Sequence, residues 1–200
     1  MTQIDYYYFP ISPYVYLAGL RLEEIAGKHG ASINYKPVEL MRIYAEMGTE
    51  PLPKRHDSRK IYRLKDIARQ ARFLDMPLNP EPAHFPTNPV PACTALIAAA
   101  HDGSGDVGKL AHLLSRATWA EERDLADEAV VRDCLSQAGF DPELASKGML
   151  SGVEELQRNT DEAIRRGVFG APFYGVGEEL FWGQDRLPHL DAHLDELAAR

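Results

Sequence analysis

Strand-like patterns occur only at the two ends of this chain, and this feature restricts its fold more than any other. Residues 4–9 are short and rich in aromatic side chains, and Pro10 closes them, as is typical of a buried strand that ends in a turn. Residues 14–29 then predict a helix that ends at Gly30, and residues 33–40 alternate as a second strand. The chain therefore begins with a strand–helix–strand unit, whose crossover is expected to be right-handed.

Helical spacing fills the long middle of the chain, and strand patterns return only after Gly167. There, residues 173–176 and 180–182 predict a hairpin, and residues 184–199 predict a last helix. This is the element order of a thioredoxin fold that is interrupted after its second strand. The predicted fold class is α/β: a discontinuous thioredoxin-like domain, residues 1–40 and 160–200, with an all-helical insertion domain, residues 41–159.

Charge excludes several classes of partner. The 200 residues contain 30 Asp and Glu against 22 Lys and Arg, which gives a formal net charge of −8. A polyanionic partner would be repelled, so we expect no nucleic acid and no membrane surface as a partner. No basic segment followed by a long apolar stretch opens the chain, and a cytoplasmic location is expected by default.

The cysteines and histidines do not form a recognisable redox or metal motif. Cys93 and Cys134 lack the CxxC spacing, which excludes a dithiol oxidoreductase. His189 and His193 share a helix face, but no third ligand accompanies them, and no metal is expected.

Ser12 is the strongest candidate for a chemical role, because it lies where the first predicted strand meets the first predicted helix. Unpaired amides and the helix dipole favour negative charge at such a position, where thioredoxin-like redox proteins keep a reactive cysteine. A serine cannot exchange disulfides, but its hydroxyl can donate a hydrogen bond to a thiolate that a cofactor brings. The Ser12-Pro13 dipeptide by itself favours the alternative, a plain N-cap serine.

Pro172 directly precedes the third predicted strand, and the Ala171–Pro172 bond is of the type that readily becomes cis. A cis bond would turn the backbone of Ala171 toward Ser12, where its amide and carbonyl could pair with an extended peptide such as a tripeptide cofactor. A trans proline at the start of an edge strand explains the same residues.

Two polar segments are further candidates for ligand contacts. Gln184 and Asp185 open the last predicted helix, either as ordinary dipole partners or, facing a cleft, as groups that hold an amino-acid-like ligand. Residues 54–63 concentrate positive charge in an acidic protein. This basic run is either a solvated face or a region that attracts a small carboxylate.

Three sequence blocks together resemble the 2-hydroxychromene-2-carboxylate isomerase family, whose close relatives are the kappa-class glutathione transferases. They are FPISPYVYLA (residues 9–18), YRLKDIARQARFLDMPLN (62–79) and RGVFGAPFYGVGEELFWGQDRL (166–187), and the resemblance covers nearly the whole chain. It implies a DsbA-like thioredoxin fold with an all-helical insertion, in agreement with the periodicity.

The resemblance also implies a dimeric enzyme of aromatic-compound catabolism that binds glutathione in a cleft between its two parts. Such enzymes carry out the cis-trans isomerisation of an aromatic conjugated 2-oxo acid through transient addition of the glutathione thiolate. By motif, Ser12 would be the catalytic residue that hydrogen-bonds the glutathione sulfur. Ala171 before Pro172 would pair with the glutathione backbone, and Gln184 with Asp185 would hold its γ-glutamyl end.

The substrate contacts and two alternative functions are open at this point. Lys54, Arg55 or Arg59 is expected to meet the carboxylate of the aromatic substrate, and Tyr14 is a further candidate. The chain could instead be a kappa-like glutathione transferase that conjugates electrophiles, or a non-catalytic module that binds thiol peptides. Only the isomerase is expected to leave glutathione unchanged after turnover.

Overall fold

The strands come from the two ends of the chain and pair in one sheet. The computed structural model describes residues 1–147 and 149–199, so Gly148 of the predicted insertion and Arg200 lie outside the described residues. The sheet has four strands in the order β2-β1-β3-β4, with β1 parallel to β2 and antiparallel to β3, and with β3 antiparallel to β4. They are β1 (Gln3–Tyr8), β2 (Ser32–Pro37), β3 (Phe173–Val176) and β4 (Glu179–Trp182).

Helices fill the space between β2 and β3 in the sequence, as the spacing predicts. Within the described residues there are ten α-helices and two short 3-10 turns, the latter at Leu52–Lys54 and Gln184–Arg186. The α-helices are α1 (Pro13–Ala18), α2 (Arg21–His29), α3 (Leu40–Glu46), α4 (Asp57–Phe73), α5 (Val90–Asp102), α6 (Val107–Trp119), α7 (Glu128–Gln137), α8 (Leu144–Lys147), α9 (Met149–Arg165) and α10 (Leu187–Ala198). None of these helices is both long and apolar enough to cross a membrane.

The prediction of one helix over residues 14–29 is wrong, because two helices occupy this segment. α1 ends at Gly19, whose φ of 62° lies in the left-handed region that glycine adopts at little cost. The side chain of Arg21 then donates to the carbonyl oxygens of Leu17 and Ala18, at 2.8 and 3.1 Å, and so satisfies the open end of α1. The break leaves α1 as a short helix that begins directly after Ser12.

Two predicted boundaries also need correction. The second strand ends at Pro37 rather than at residue 40, since the chain already turns into α3 at Leu40. The last helix begins with a 3-10 turn at Gln184–Arg186, and α10 proper starts at Leu187. The predicted domain boundary after residue 159 stays a prediction, and it falls within α9.

The sheet separates two apolar clusters, because successive side chains of β1 point to opposite faces. Ile4, Tyr6 and Tyr8 lie in the larger cluster, together with side chains from most of the helices. Tyr7 points the other way, into a smaller cluster with Phe173 of β3. Helix α1 packs against the same face of the sheet as Tyr6 and Tyr8 through Val15 and Ala18.

An ion network around the buried Lys36 joins α9 to the sheet beside the smaller cluster. The ammonium group of Lys36 on β2 lies 3.1 Å from a carboxylate oxygen of Asp5 and 2.5 Å from one of Glu162. Arg166 pairs with the other carboxylate oxygen of Asp5 at 2.8 Å. The end of the helical segment is thus connected to both parallel strands.

Candidate active site

Ser12 lies at the start of α1 with its side chain buried, and its hydroxyl does not cap that helix. Its backbone takes the N-cap position, with φ −85° and ψ 124°, but no amide of α1 bonds to its Oγ. The hydroxyl instead donates to the carbonyl oxygen of Ala171 across 3.0 Å. The N-cap interpretation therefore accounts for the backbone of Ser12 but not for its side chain.

Ala171 and Pro172 reach Ser12 because β3 pairs with β1. The Ala171–Pro172 peptide bond is cis, and Ala171 is buried. The carbonyl of Pro172 accepts a hydrogen bond from the amide of Gly183 at 3.0 Å, which brings the start of the Gln184–Arg186 turn close to Pro172. Within the described residues, the amide of Ala171 donates to no acceptor. A buried backbone donor beside the Ser12 hydroxyl is therefore left for a ligand.

Gln184 is buried, and protein groups fix its side-chain amide. Arg21 donates to its carbonyl oxygen at 2.8 Å, and its nitrogen donates to the carbonyl oxygen of Gln70 on α4 at 3.3 Å. The neighbouring Asp185 is exposed and forms an ion pair with Arg186 at 3.0 Å. Of the predicted pair, Asp185 has the exposed carboxylate, with Arg186 on one of its two oxygens, whereas Gln184 joins three elements around the site.

Tyr14, in the first turn of α1, is directed toward α4. Its hydroxyl donates to a carboxylate oxygen of Asp66 at 3.0 Å. Burial, and then the negative charge of Asp66, raise the pKa of Tyr14 far above its ordinary value, so the hydroxyl stays protonated. Tyr14 is therefore a hydrogen-bond donor that ties α1 to α4.

The three basic residues predicted to meet a substrate carboxylate are not brought to Ser12. Lys54 and Arg59 are exposed. Arg55 donates from Nε to the carbonyl oxygen of Glu50 at 2.7 Å, and its guanidinium lies 5.8 Å from the ring centre of Tyr44. In the described part of the chain, none of the three has a bond to Ser12, Ala171 or Gln184.

Arg63, the last cation of the basic run, is a residue that the sequence interpretation did not select. It is partly buried, and its guanidinium lies over the rings of Phe85 and Trp119, 5.5 and 5.7 Å from their centres. Burial lowers the pKa of Arg63 from its ordinary value, although an arginine stays protonated at neutral pH. Arg63 precedes the inward-facing Ile67 by four residues, and this helical spacing was the sequence signal that could have indicated its partial burial.

Neither cysteine is suited to act as a nucleophile. Cys93 on α5 and Cys134 on α7 are free and buried. Burial raises the pKa of the Cys134 thiol to about 11 and that of the Cys93 thiol still further. Both are neutral thiols at physiological pH, and a thiol is a poor nucleophile.

One cluster outside the site has atoms of the type that bind metals. His29 on α2 and Asp191 and Asp195 on α10 offer ligand atoms within 4.8 Å of one another. The ammonium group of Lys28 already lies 2.9 Å from Asp191 and 3.2 Å from Asp195. Lys28 therefore compensates one of the two negative charges and occupies an oxygen of each carboxylate.

Comparison with known proteins identifies relatives of this chain. Residues 3–195 match the model of the DsbA-like thioredoxin domain. The chain is 31% identical to a 2-hydroxychromene-2-carboxylate isomerase of Sphingobium xenophagum, over 96% of this chain and 97% of that protein. It is 26% identical to the kappa 1 glutathione S-transferase of Caenorhabditis elegans, over 97% and 91%. A solved 2-hydroxychromene-2-carboxylate isomerase superposes with a TM-score of 0.82 at 25% identity, and the match covers 98% of this chain and 96% of that one.

Proposed function

The chain is an enzyme of the 2-hydroxychromene-2-carboxylate isomerase family with the DsbA-like thioredoxin domain, and from this premise we propose that it is a glutathione-dependent isomerase. Its substrate would be an aromatic conjugated 2-oxo acid of the 2-hydroxychromene-2-carboxylate type, which changes from the cis to the trans form. A homodimer, which the family resemblance implies, and a cytoplasmic location, which is expected by default, remain predictions.

The buried hydroxyl of Ser12 beside the unpaired amide of Ala171 is the observation that carries this proposal. An extended tripeptide that contains a thiol needs backbone partners and a hydrogen-bond donor for its sulfur, and these two groups match that need. Asp185 adds an open carboxylate that suits the amino group of the γ-glutamyl end. The residues present therefore fit glutathione.

Ser12 would act as a hydrogen-bond donor rather than as a nucleophile. Glutathione, when bound, would supply the thiolate that adds to the conjugated substrate and is later expelled. A hydrogen bond from the Ser12 hydroxyl stabilises an ionised sulfur and lowers the pKa of the thiol. For this, Oγ must turn from the carbonyl of Ala171 toward the ligand, which a serine hydroxyl does by rotation about one bond.

Thermal unfolding with reduced glutathione tests the site directly. A ligand at a hundredfold excess over its Kd stabilises the native state by about 2.7 kcal/mol, which is a readily measured rise in Tm. We expect this rise for the native chain, a smaller one with S-methylglutathione, and a weakened one for Ser12→Ala. Ser136→Ala on the exposed side of α7 is the matched control and should behave as the native chain. No rise at any glutathione concentration would refute the proposal.

Product stoichiometry distinguishes the isomerase from a kappa-like transferase. Chromatography of a completed reaction should recover all of the glutathione with the isomerised acid, because addition and expulsion cancel. Glutathione consumed in proportion to product would make the chain a transferase that acts on electrophiles. Binding of glutathione without turnover of any conjugated oxo acid would favour a binding module.

A further inference from the structure

Arg63 combines burial with a lack of acidic partners. Its guanidinium is held over the rings of Phe85 and Trp119, and no Asp or Glu among the described residues forms an ion pair with it. The other arginines beside it are engaged, since Arg69 pairs with Asp66 at 3.3 Å and Arg55 donates to the carbonyl of Glu50. Arg59, one turn earlier on α4, is exposed, so among the described residues Arg63 is the partly buried cation of this part of the helix that has no acidic partner.

Its position on α4 places Arg63 on the face that lies along the candidate site. Arg63, Asp66 and Gln70 are three and seven residues apart, so they share one face of the helix. Asp66 accepts from Tyr14, which follows Ser12 by two residues, and Gln70 accepts from Gln184. Arg63 lies about 10 Å along the helix axis from Gln70. This face thus runs from Gln184, past the start of α1, to Arg63.

A partly desolvated guanidinium favours a carboxylate. Contact with an aromatic face compensates only part of the loss of water around the cation. A carboxylate offers two oxygens that match the planar fork of an arginine, and the resulting bidentate pair is stronger in a partly buried site than in water. The rings of Phe85 and Trp119 also hold the fork in place, which lowers the entropy lost on binding.

We propose that Arg63 binds the carboxylate of the substrate and so determines the preference of this enzyme for oxo acids. The inference rests on the proposed function, because it places the substrate at the end of the site opposite Gln184. It assigns this role to Arg63 in preference to the exposed Lys54 and Arg59. Arg63 is a substrate-binding residue, and the chemistry at the sulfur remains with Ser12.

Calorimetric titration with cinnamate and with its neutral analogue cinnamamide tests this role without turnover. We expect the native chain to bind cinnamate at least tenfold more tightly, and Arg63→Gln to lose that preference. Arg63→Lys, which keeps the charge but not the fork, should retain only part of it. Arg72→Gln, an exposed arginine on the same helix, is the matched control and should keep the preference. Thermal melts of each variant verify that it is folded.

Two results would overturn the assignment. One is a native chain with no preference for cinnamate, and the other is an Arg63→Gln variant that keeps the native preference. With the natural type of substrate, Arg63→Gln should raise KM at least tenfold and change kcat less than threefold. Glutathione titrated into the same proteins distinguishes the two proposals. If glutathione does not bind to the native chain, the proposed function is refuted. If glutathione binds and the KM of Arg63→Gln is unchanged, only the role of Arg63 in binding the substrate carboxylate is refuted.

Discussion

At the scale of single residues, the hydroxyl of Ser12 is available for a ligand because it does not cap the helix that it precedes. A serine at the start of a helix ordinarily bonds to a backbone amide of the first turn. Here the hydroxyl is buried and bonds to Ala171, which lies at the other end of the chain. It can turn to a ligand without loss of any helix cap, because it supplies none.

Replacement of this hydroxyl should affect turnover far more than stability. Ser12→Ala removes one hydrogen bond, so the free energy of unfolding should fall by only about 1 kcal/mol. The loss of a hydrogen-bond donor that stabilises developing charge ordinarily lowers the rate by roughly 10²-fold or more. Steady-state kinetics and urea unfolding of the same preparation measure both quantities. Full activity in Ser12→Ala would contradict the role of this residue.

A cysteine at the same position should capture glutathione covalently. In Ser12→Cys, the introduced thiolate would attack oxidised glutathione, form a mixed disulfide and release one reduced glutathione. Mass spectrometry of the intact protein should detect one added glutathione. The native chain is the control, since Cys93 and Cys134 are buried with raised thiol pKa values and should stay unmodified. An unmodified Ser12→Cys would argue against a glutathione sulfur near this position.

At the scale of elements, the close approach of α5 and α9 depends on a glycine. A Cβ atom at Gly152 of α9 would lie 2.9 Å from the Cβ of Thr94, which is buried in α5. A bulkier residue must push the two helices apart, and such overpacking costs more than the gain in helix propensity.

Two glycine substitutions should therefore change stability in opposite directions. Gly152→Ala should lower the free energy of unfolding by about 1–3 kcal/mol. Gly27→Ala should raise it by up to about 1 kcal/mol, because Gly27 lies inside α2 with open space around its Cα. Urea unfolding curves measure both, and equal effects of the two substitutions would show that the contact with Thr94 does not limit the packing.

At the scale of the whole molecule, Lys36 connects the end of the helical segment to the sheet by ion pairs. Its ammonium group lies between Asp5 on the central strand β1 and Glu162 on α9, and only 8% of the residue is exposed. Without the Lys36 ammonium group, the Glu162 carboxylate would have no cation beside it among the described residues, whereas Asp5 would keep its pair with Arg166.

Lys36→Met should destabilise the protein much more than the loss of a surface ion pair. We expect a decrease of about 3 kcal/mol in the free energy of unfolding. Arg42→Met, which removes an exposed pair with Asp161, should cost less than about 1 kcal/mol. Chemical denaturation at constant pH compares the two variants. Similar losses for both would mean that the charges at Lys36 remain solvated.

Periodicity and turn chemistry allow much of the fold of this protein to be predicted from its sequence. The spacing of apolar side chains predicts that the middle of the chain is helical, and the strands at both ends follow from short aromatic and β-branched runs. Ser12 and Pro172 also stand out locally, because a strand meets a helix at one and a strand begins at the other. These features depend on neighbours in the chain, which a sequence pattern records.

Which side chains act together follows from the packing of elements that are distant in the sequence. Ser12 meets Ala171, and Arg21 engages Gln184, across more than 150 positions of sequence in each case. The same is true of Arg63: its spacing from Ile67 indicates the inner side of α4, but the rings of Phe85 and Trp119 that lie beside its guanidinium come from distant segments of the chain. Contacts of this kind arise from the pairing of β1 with β3 and the packing of α4 against α1. No local pattern encodes them, since they exist only once distant elements have come together.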